Sequence, residues 1–373
     1  MDATIDRAAL ADALARAAGA VAGRTTKPVL AGVLVRADHG GVTLAATDTE
    51  VGVTAALPPG QTVGRPGAAV VSHAKLVQIV READAPTVRL TAADTHGVTV
   101  TAGGRWELPG YDPAEFPESP AFPAGDSTHE VEAGVLRAMI RRTAFAADKK
   151  DSTRFALSGV LWEAEGKTVR LVATDSKRLS VCEGPAVVTG DAPKGTHLLP
   201  SKAVALLLAN LGDDGELVRV CLRANGAMFR TERATLHTAL VSGRYPPYRD
   251  LLTHARKGDP TRIVLPVAAF LSRVRQAAVM ADDESKRIDM VFGGGRVTMA
   301  CRGAATGSSD VAMELPDYTG PAVSIAFDPA YVAEFLRAAD GEPTVTLDVT
   351  DGSKPALFRC GGGWSYLVMP LAG

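Results

Sequence analysis

Thr47-Asp48 and Thr174-Asp175 each set a hydroxyl beside a carboxylate, the combination a nucleophile and its base require. Neither pair has a histidine or a metal-ligating cluster near it in sequence. Both close the same strand-like pattern in two copies of one segment, which reads as an Asp side chain holding a turn at a strand end. Glu165-Gly166-Lys167-Thr168 has the tail of a phosphate-binding loop, but the loop needs glycine at 161 and the chain has Leu161, so a surface turn is expected. Gly293-Gly294-Gly295 stands at the equivalent turn further on. Asp282-Asp283-Glu284 offers hard-metal carboxylates in an unbroken run, without the spaced ligands of a calcium loop. There is no GxSxG, HExxH or CxxC. The reading is a protein with no catalytic residue, no metal and no cofactor.

The Thr-Asp pairs belong to a larger pattern. LAGVLVRADHGGVTLAATD, from Leu30 to Asp48, returns as LSGVLWEAEGKTVRLVATD from Leu157 to Asp175, at a constant offset of 127 residues and with about half the positions identical. One period later IDMVFGGGRVTMACRG (288–303) keeps the hydrophobic rhythm and loses the Thr-Asp ending. A unit of this length is the size of a small domain rather than a solenoid repeat. The chain is therefore expected to hold three tandem copies of one α+β fold, over 1–121, 128–253 and 261–373. Proline- and glycine-rich joints at 109–125 and 253–260 separate them.

Each copy needs elements to position its residues. Helical rhythm marks 6–20, 72–84, 134–147, 201–211, 267–281 and 329–339, with Ser72 as an N-cap and Pro266 and Pro329 at favoured starts. Period-two alternation marks strands such as 41–46, 98–102, 169–173, 218–222, 297–301 and 345–349. Strands outnumber helices and the links are short. Mainly antiparallel sheets, one face covered by two helices per copy, are expected. With 46% hydrophobic and 22% charged residues the chain is neither disordered nor fibrous. The amphipathic amino terminus, carrying Asp2 and Asp6, does not read as a signal peptide, and no stretch is long enough to span a membrane; a cytoplasmic location, with no membrane partner, is expected. Cys182, Cys221, Cys301 and Cys360 are far apart in apolar contexts and read as buried thiols.

Charge gives the first hint of a partner. On 134–147 a helical wheel puts Val135, Leu136, Met139, Ile140 and Thr143 on one side and Arg137 and Arg141 on the other, with Lys149 and Lys150 following. The other helices carry Arg7, Arg16, Lys75, Arg81, Lys202, Arg273, Arg275 and Arg337. Singly these are solvated outer faces. Repeated in three equivalent copies they would line one surface suited to a phosphate backbone, although the formal charge of −2 excludes a uniformly basic binder. Few aromatic residues interleave, which favours duplex over stacked single strands.

At this point the chain resembles the bacterial DNA sliding clamps, the beta subunits of DNA polymerase III. The resemblance runs end to end, and VATDSKRLSV (172–181), SGRYPPYRDLL (242–252) and the terminal YLVMPL (366–371) carry it most specifically, with GRTTKPVLAGVLV and RWELPGYDPAEFP in support. It implies a non-catalytic processivity subunit in which two chains join head to tail in a closed ring around double-stranded DNA. It further implies a cleft that takes short linear peptides of the polymerase and clamp loader. Carried over by position, the cleft comprises Leu157, Thr174, Ser176, Lys177, Arg178, Leu179, Pro246, Leu251, Tyr331, Leu367, Val368, Met369, Pro370 and Leu371. For DNA the resemblance adds Arg24 and supports Lys149 and Lys150, which join Arg137 and Arg141 of the charged helix face as expected contacts. The ring seam takes Trp106 and Leu108 on one side and Val279 and Met280 on the other. Asp250 departs from the basic residue many clamps carry beside the cleft, Asp151 and Ala156 depart near the DNA loop, and Ala372-Gly373 extend the terminus. The alternatives are a clamp paralogue serving a specialised polymerase and an enzyme built on the Thr174-Asp175 region.

Overall fold

The computed structural model describes residues 1–93, 96–123, 128–149, 157–189, 197–255, 259–281, 286–303, 307–361 and 363–371. Lys150, the acidic run 282–284, Asp151, Ala156 and the terminal Ala372-Gly373 lie outside the described residues.

Seven α-helices are described: α1 (Arg7–Ala17), α2 (His73–Glu82), α3 (Ala133–Thr143), α4 (Ser201–Asn210), α5 (Tyr248–Ala255), α6 (Val267–Ala277) and α7 (Pro329–Ala338). Their starts follow from capping chemistry. Asp6 accepts the Ala9 amide at 2.8 Å, Ser72 accepts that of Lys75, and Asp328 accepts that of Ala330 at 2.8 Å with Pro329 in the first turn. The expected helices are all present, and three of them finish in a short 3-10 turn at 18–20, 144–146 and 278–280. On α3 the apolar face is Leu136, Met139, Ile140 and Thr143, all buried, with Val135 half-buried and Arg141 exposed. Helix α5 was not expected. It is only two turns long, and its first three residues after Leu252 coincide with the polar stretch that reads as a joint; Tyr248 and Leu252, one turn apart, are its buried residues.

The chain divides into two compact units. In the first (1–137, 164–167, 186–241) a ten-stranded sheet runs in the order 110–111, 67–72, 32–38, 41–47, 51–56, 234–239, 226–230, 217–223, 128–132, 187–189. A five-stranded sheet (62–65, 2–6, 87–92, 98–101, 105–108) accompanies it, and α1 packs beside α2. The strand that ends the first repeat joins the second: 51–56 pairs with 234–239, Val51 opposite Thr238. In the second unit (138–163, 168–185, 242–373) strands follow the order 159–165, 168–174, 178–185, 364–368, 356–360, 344–349, 261–266, beside a four-stranded sheet (307–314, 296–303, 288–293, 323–327) and the α6–α7 pair. Here 178–185 pairs with 364–368, Arg178 opposite Val368, so the second repeat joins the third as the first joins the second. Every described strand pairing is antiparallel.

The second unit's core is aromatic. Phe335 of α7 stacks flat on Tyr366 at 4.9 Å, and Phe358 and Trp364 lie 4.9 and 4.7 Å from it, within the range where aromatic pairs attract. The apolar carboxy-terminal run is thereby explained: 364–368 is a central strand, covered on both sides by neighbours. The four cysteines are all buried thiols.

Candidate functional site

The two Thr-Asp pairs make the same turn. Thr174 Oγ1 donates to the Arg178 carbonyl at 2.6 Å, and Asp175 Oδ1 accepts the Lys177 and Arg178 amides at 3.0 Å each. One repeat earlier Thr47 Oγ1 donates to the Val51 carbonyl at 2.9 Å, and Asp48 Oδ1 accepts the Glu50 and Val51 amides at 2.9 and 2.8 Å. Thr49 and Ser176, inside the turns, share a left-handed backbone, φ 83° and 71°. Both hydroxyls and one oxygen of each carboxylate are spent on the backbone, and the other oxygen accepts a basic side chain, Lys202 for Asp48 and Arg178 for Asp175, so the structural reading of the pairs holds.

The repeats diverge four residues after the threonine, where Val51 is replaced by Arg178. Its guanidinium is 5% exposed and fully engaged. Nε donates to Asp175 Oδ2 at 2.9 Å, Nη1 to Glu334 of α7, and Nη2 to the Phe145 carbonyl at 2.8 Å; the Tyr331 ring lies 4.4 Å beneath it. Burial opposes the charge, and Tyr366, Glu334 and Asp175 more than offset it, so the arginine is held protonated even more firmly than usual. Asp175 and Glu334 thus quench the charge where it is buried.

A second anchored element stands nearby in the same unit. Glu163 on strand 159–165 accepts the Tyr248 hydroxyl at 2.6 Å and the guanidinium groups of Arg249 and Arg170 at 2.8 and 3.1 Å. Burial would raise its pKa, but Tyr248 and the two arginines together hold it below the usual carboxylate range. The Tyr245 hydroxyl donates to the Val172 carbonyl at 3.2 Å. These bonds fix the Tyr-Pro-Pro-Tyr turn and α5, leaving Leu251 48% exposed.

The sequence-predicted cleft residues therefore fall into two groups. Leu157, Thr174, Arg178, Leu179, Leu367 and Val368 are buried and build the support. Ser176, Lys177, Leu251 and Met369 are exposed, and Pro246, Tyr331, Pro370 and Leu371 half-buried, so these can meet a ligand. Met369 is 42% exposed although its amide is fixed to the Lys177 carbonyl at 2.8 Å. The terminal run thus does both jobs: Leu367 completes a sheet and Met369, just past the strand, presents a side chain. The residues sequence reasoning missed are Glu334, Glu163 and Arg142. Arg142 pairs with Glu342 at 2.7 Å and lies over Trp364.

The predicted DNA contacts are placed separately. Arg24 and Arg141 are exposed. Arg137 is ion-paired to Asp214 and donates to the Gly212 carbonyl. Lys149 is 79% exposed, with Nζ 3.7 Å from Glu334 Oε1. Of the seam residues, Trp106 and Leu108 lie on strand 105–108 at the edge of the five-stranded sheet and line a cavity of 360 Å³ with Lys75, Ile79 and Arg81 of α2. Val279, 71% exposed, lines a 700 Å³ cavity between α6 and α7 with Leu271 and Leu336; Met280 is half-buried beside it. No group of three or more potential metal ligands occurs among the described residues. No helix among them is long and apolar enough to cross a membrane.

Comparison with known proteins gives a single result along the whole length. Residues 1–120, 130–247 and 257–371 match the N-terminal, central and C-terminal domains of the DNA polymerase III beta subunit. The chain is 28% identical to the beta sliding clamp of Pseudomonas putida over 371 residues, covering 99% of each, and 27% identical to that of Streptomyces coelicolor over 388 aligned positions, covering 98% of each. Among solved structures it is similar to the sliding clamp of Pseudomonas aeruginosa bound to griselimycin, with a TM-score of 0.90, 26% identity and full coverage of both chains. The Bacillus subtilis clamp shares the fold, with a TM-score of 0.90 at 22% identity over 100% of this chain and 99% of the other.

Proposed function

The chain belongs to the DNA polymerase III beta-subunit family, and from that premise we propose that it is a DNA sliding clamp, a ring that encloses duplex DNA and tethers a polymerase to it. The family is the non-catalytic processivity subunit, and this chain's Thr-Asp pairs are turn-holding groups. Its domains are 1–121, 128–253 and 261–373, a division supported by the three matched spans.

Ring closure needs two unlike surfaces. Trp106 and Leu108 of one copy would meet Val279 and Met280 of the next, a heterologous contact that closes after two chains. The cavity at each side, lined by apolar and charged side chains together, and the exposure of Val279 support it. Arg24, Arg137, Arg141, Lys149 and Lys150 would contact phosphates, which carry no sequence information, so all positions along the duplex are nearly equal in energy and the ring slides. Arg137 must then exchange Asp214 for phosphate.

The observation that carries partner binding is the exposed apolar pair Leu251 and Met369 on an anchored frame. A short apolar peptide of polymerase or clamp loader would cover them, and griselimycin would compete for the same place. Tethering raises the polymerase's local concentration at the primer end without any chemistry by the clamp. Loading onto closed circles falls to a separate ATPase. The test is primer extension on singly primed circular DNA by the cognate polymerase and loader. Adding the chain lengthens the products of one binding event, and Leu251→Ala/Met369→Ala abolishes the gain. Unchanged product length with the wild-type chain would refute the reading and leave the specialised paralogue.

A further inference from the structure

Glu334 touches both proposed binding regions of the second unit. Its Oε2 accepts from buried Arg178 at the cleft, and its Oε1 lies 3.7 Å from the ammonium of Lys149, a proposed DNA contact. The side chain is 27% exposed, Lys149 is 79% exposed and Arg178 is 5% exposed, so the three step from solvent into the protein. A long, exposed lysine side chain reorients toward a phosphate at little cost.

We infer that Glu334 is a positioning residue that makes the partner cleft sense duplex DNA through Lys149. Without DNA the carboxylate is shared between Lys149 and Arg178. When a phosphate takes Lys149, the whole of the negative charge falls to Arg178, whose guanidinium is then held more firmly over Tyr331 and against Asp175. The cleft wall is better ordered before the ligand arrives, so less conformational freedom is lost on binding and affinity rises. Thermodynamic reciprocity requires that an occupied cleft strengthen duplex binding by the same factor. The link is a partly exposed ion pair, which limits the effect to about two- to fivefold. Such a bias would favour partners on loaded rings over free ones. The inference rests on the sliding-clamp reading of both regions.

The experiment is calorimetric titration of griselimycin into the full-length chain, with and without a saturating linear duplex of about 30 base pairs at low salt, where phosphate contacts are least screened. Duplex binding is followed in parallel by fluorescence anisotropy. The wild type binds griselimycin about two- to fivefold tighter with duplex present. Lys149→Ala binds at the tighter value with or without duplex, because Arg178 already holds Glu334 alone. Glu334→Gln, which keeps an acceptor for Arg178 and loses the charge, still binds both ligands but shows no dependence of one on the other. A merely structural role for Glu334 would lower affinity equally in both conditions, and this result, or an unchanged wild-type affinity when both ligands bind, overturns the inference. Failure of griselimycin or of duplex to bind the wild type at all overturns the underlying reading, and the inference with it.

Discussion

Arg178→Ala is expected to cost the second unit about 3 kcal/mol, the lower end of the range for breaking a buried ion pair. The structure sets the figure. Removal strands the Phe145 carbonyl, takes the Nε donor from Asp175 and the Nη1 donor from Glu334, and lifts the cation off Tyr331. The loss is held to that lower end because Asp175 keeps its two backbone amides and Glu334 keeps Lys149 and some solvent. Arg178→Lys is expected to lose most of the same energy, since an ammonium cannot serve three acceptors in the fork geometry of a guanidinium. Glu334→Ala alone costs about 1 kcal/mol, and the double variant falls short of the sum by about 1 kcal/mol, as groups in one network do. Urea unfolding followed by tryptophan fluorescence reads this directly, because Trp162 and Trp364, two of the chain's three tryptophans, are buried in the same unit as Arg178. A loss below about 1 kcal/mol, or additive single variants, would refute the claim that Arg178 is the buried keystone of the proposed cleft.

Other outcomes follow from the same reasoning. Leu251→Ala and Met369→Ala change stability by less than about 0.5 kcal/mol but weaken griselimycin about tenfold or more each, since the ligand loses an apolar side chain to bury; calorimetry and melting temperature separate the two effects. Trp106→Ala or Val279→Asp shifts the light-scattering mass from two chains toward one, and an unchanged dimer mass would reject the proposed seam. Buried His129 is pushed down to about 4, first by its burial and then by His197, whereas the unfolded chain takes up that proton near 6.5. The unfolded state therefore binds more protons between those values, so the stability is fully present above about pH 6.5 and is lost as pH falls toward 4, by about 3 kcal/mol in total. Denaturation midpoints measured across that window should decline less steeply in His129→Leu, and parallel profiles would contradict the assignment.

Much of this was legible in the residues because it is local or repeated. The offset of 127 residues exposed the duplicated strand pair and its Thr-Asp turn, and alternation and capping residues located the strands and six of the helices. Helix α5 escaped because two turns ending in polar residues give too little periodicity against a proline-rich lead. The ion pairs escaped for another reason. Arg178 and Glu334 are 156 positions apart and Arg142 and Glu342 are 200 apart, so sequence reports four charges and nothing of their partners. The resemblance supplied the proposed cleft's membership, but its division into buried residues such as Arg178 and Leu179 and exposed ones such as Leu251 and Met369 follows only from burial in the folded unit.

The most direct measurement of the central claim is retention on DNA after loading by the cognate ATPase, comparing a nicked circular plasmid with the same plasmid cut once. A topological ring stays on the circle through a high-salt gel-filtration column and runs off the cut ends within the passage, because high salt removes the phosphate contacts and leaves only enclosure. Equal retention on both forms, or loss from both, would contradict the account.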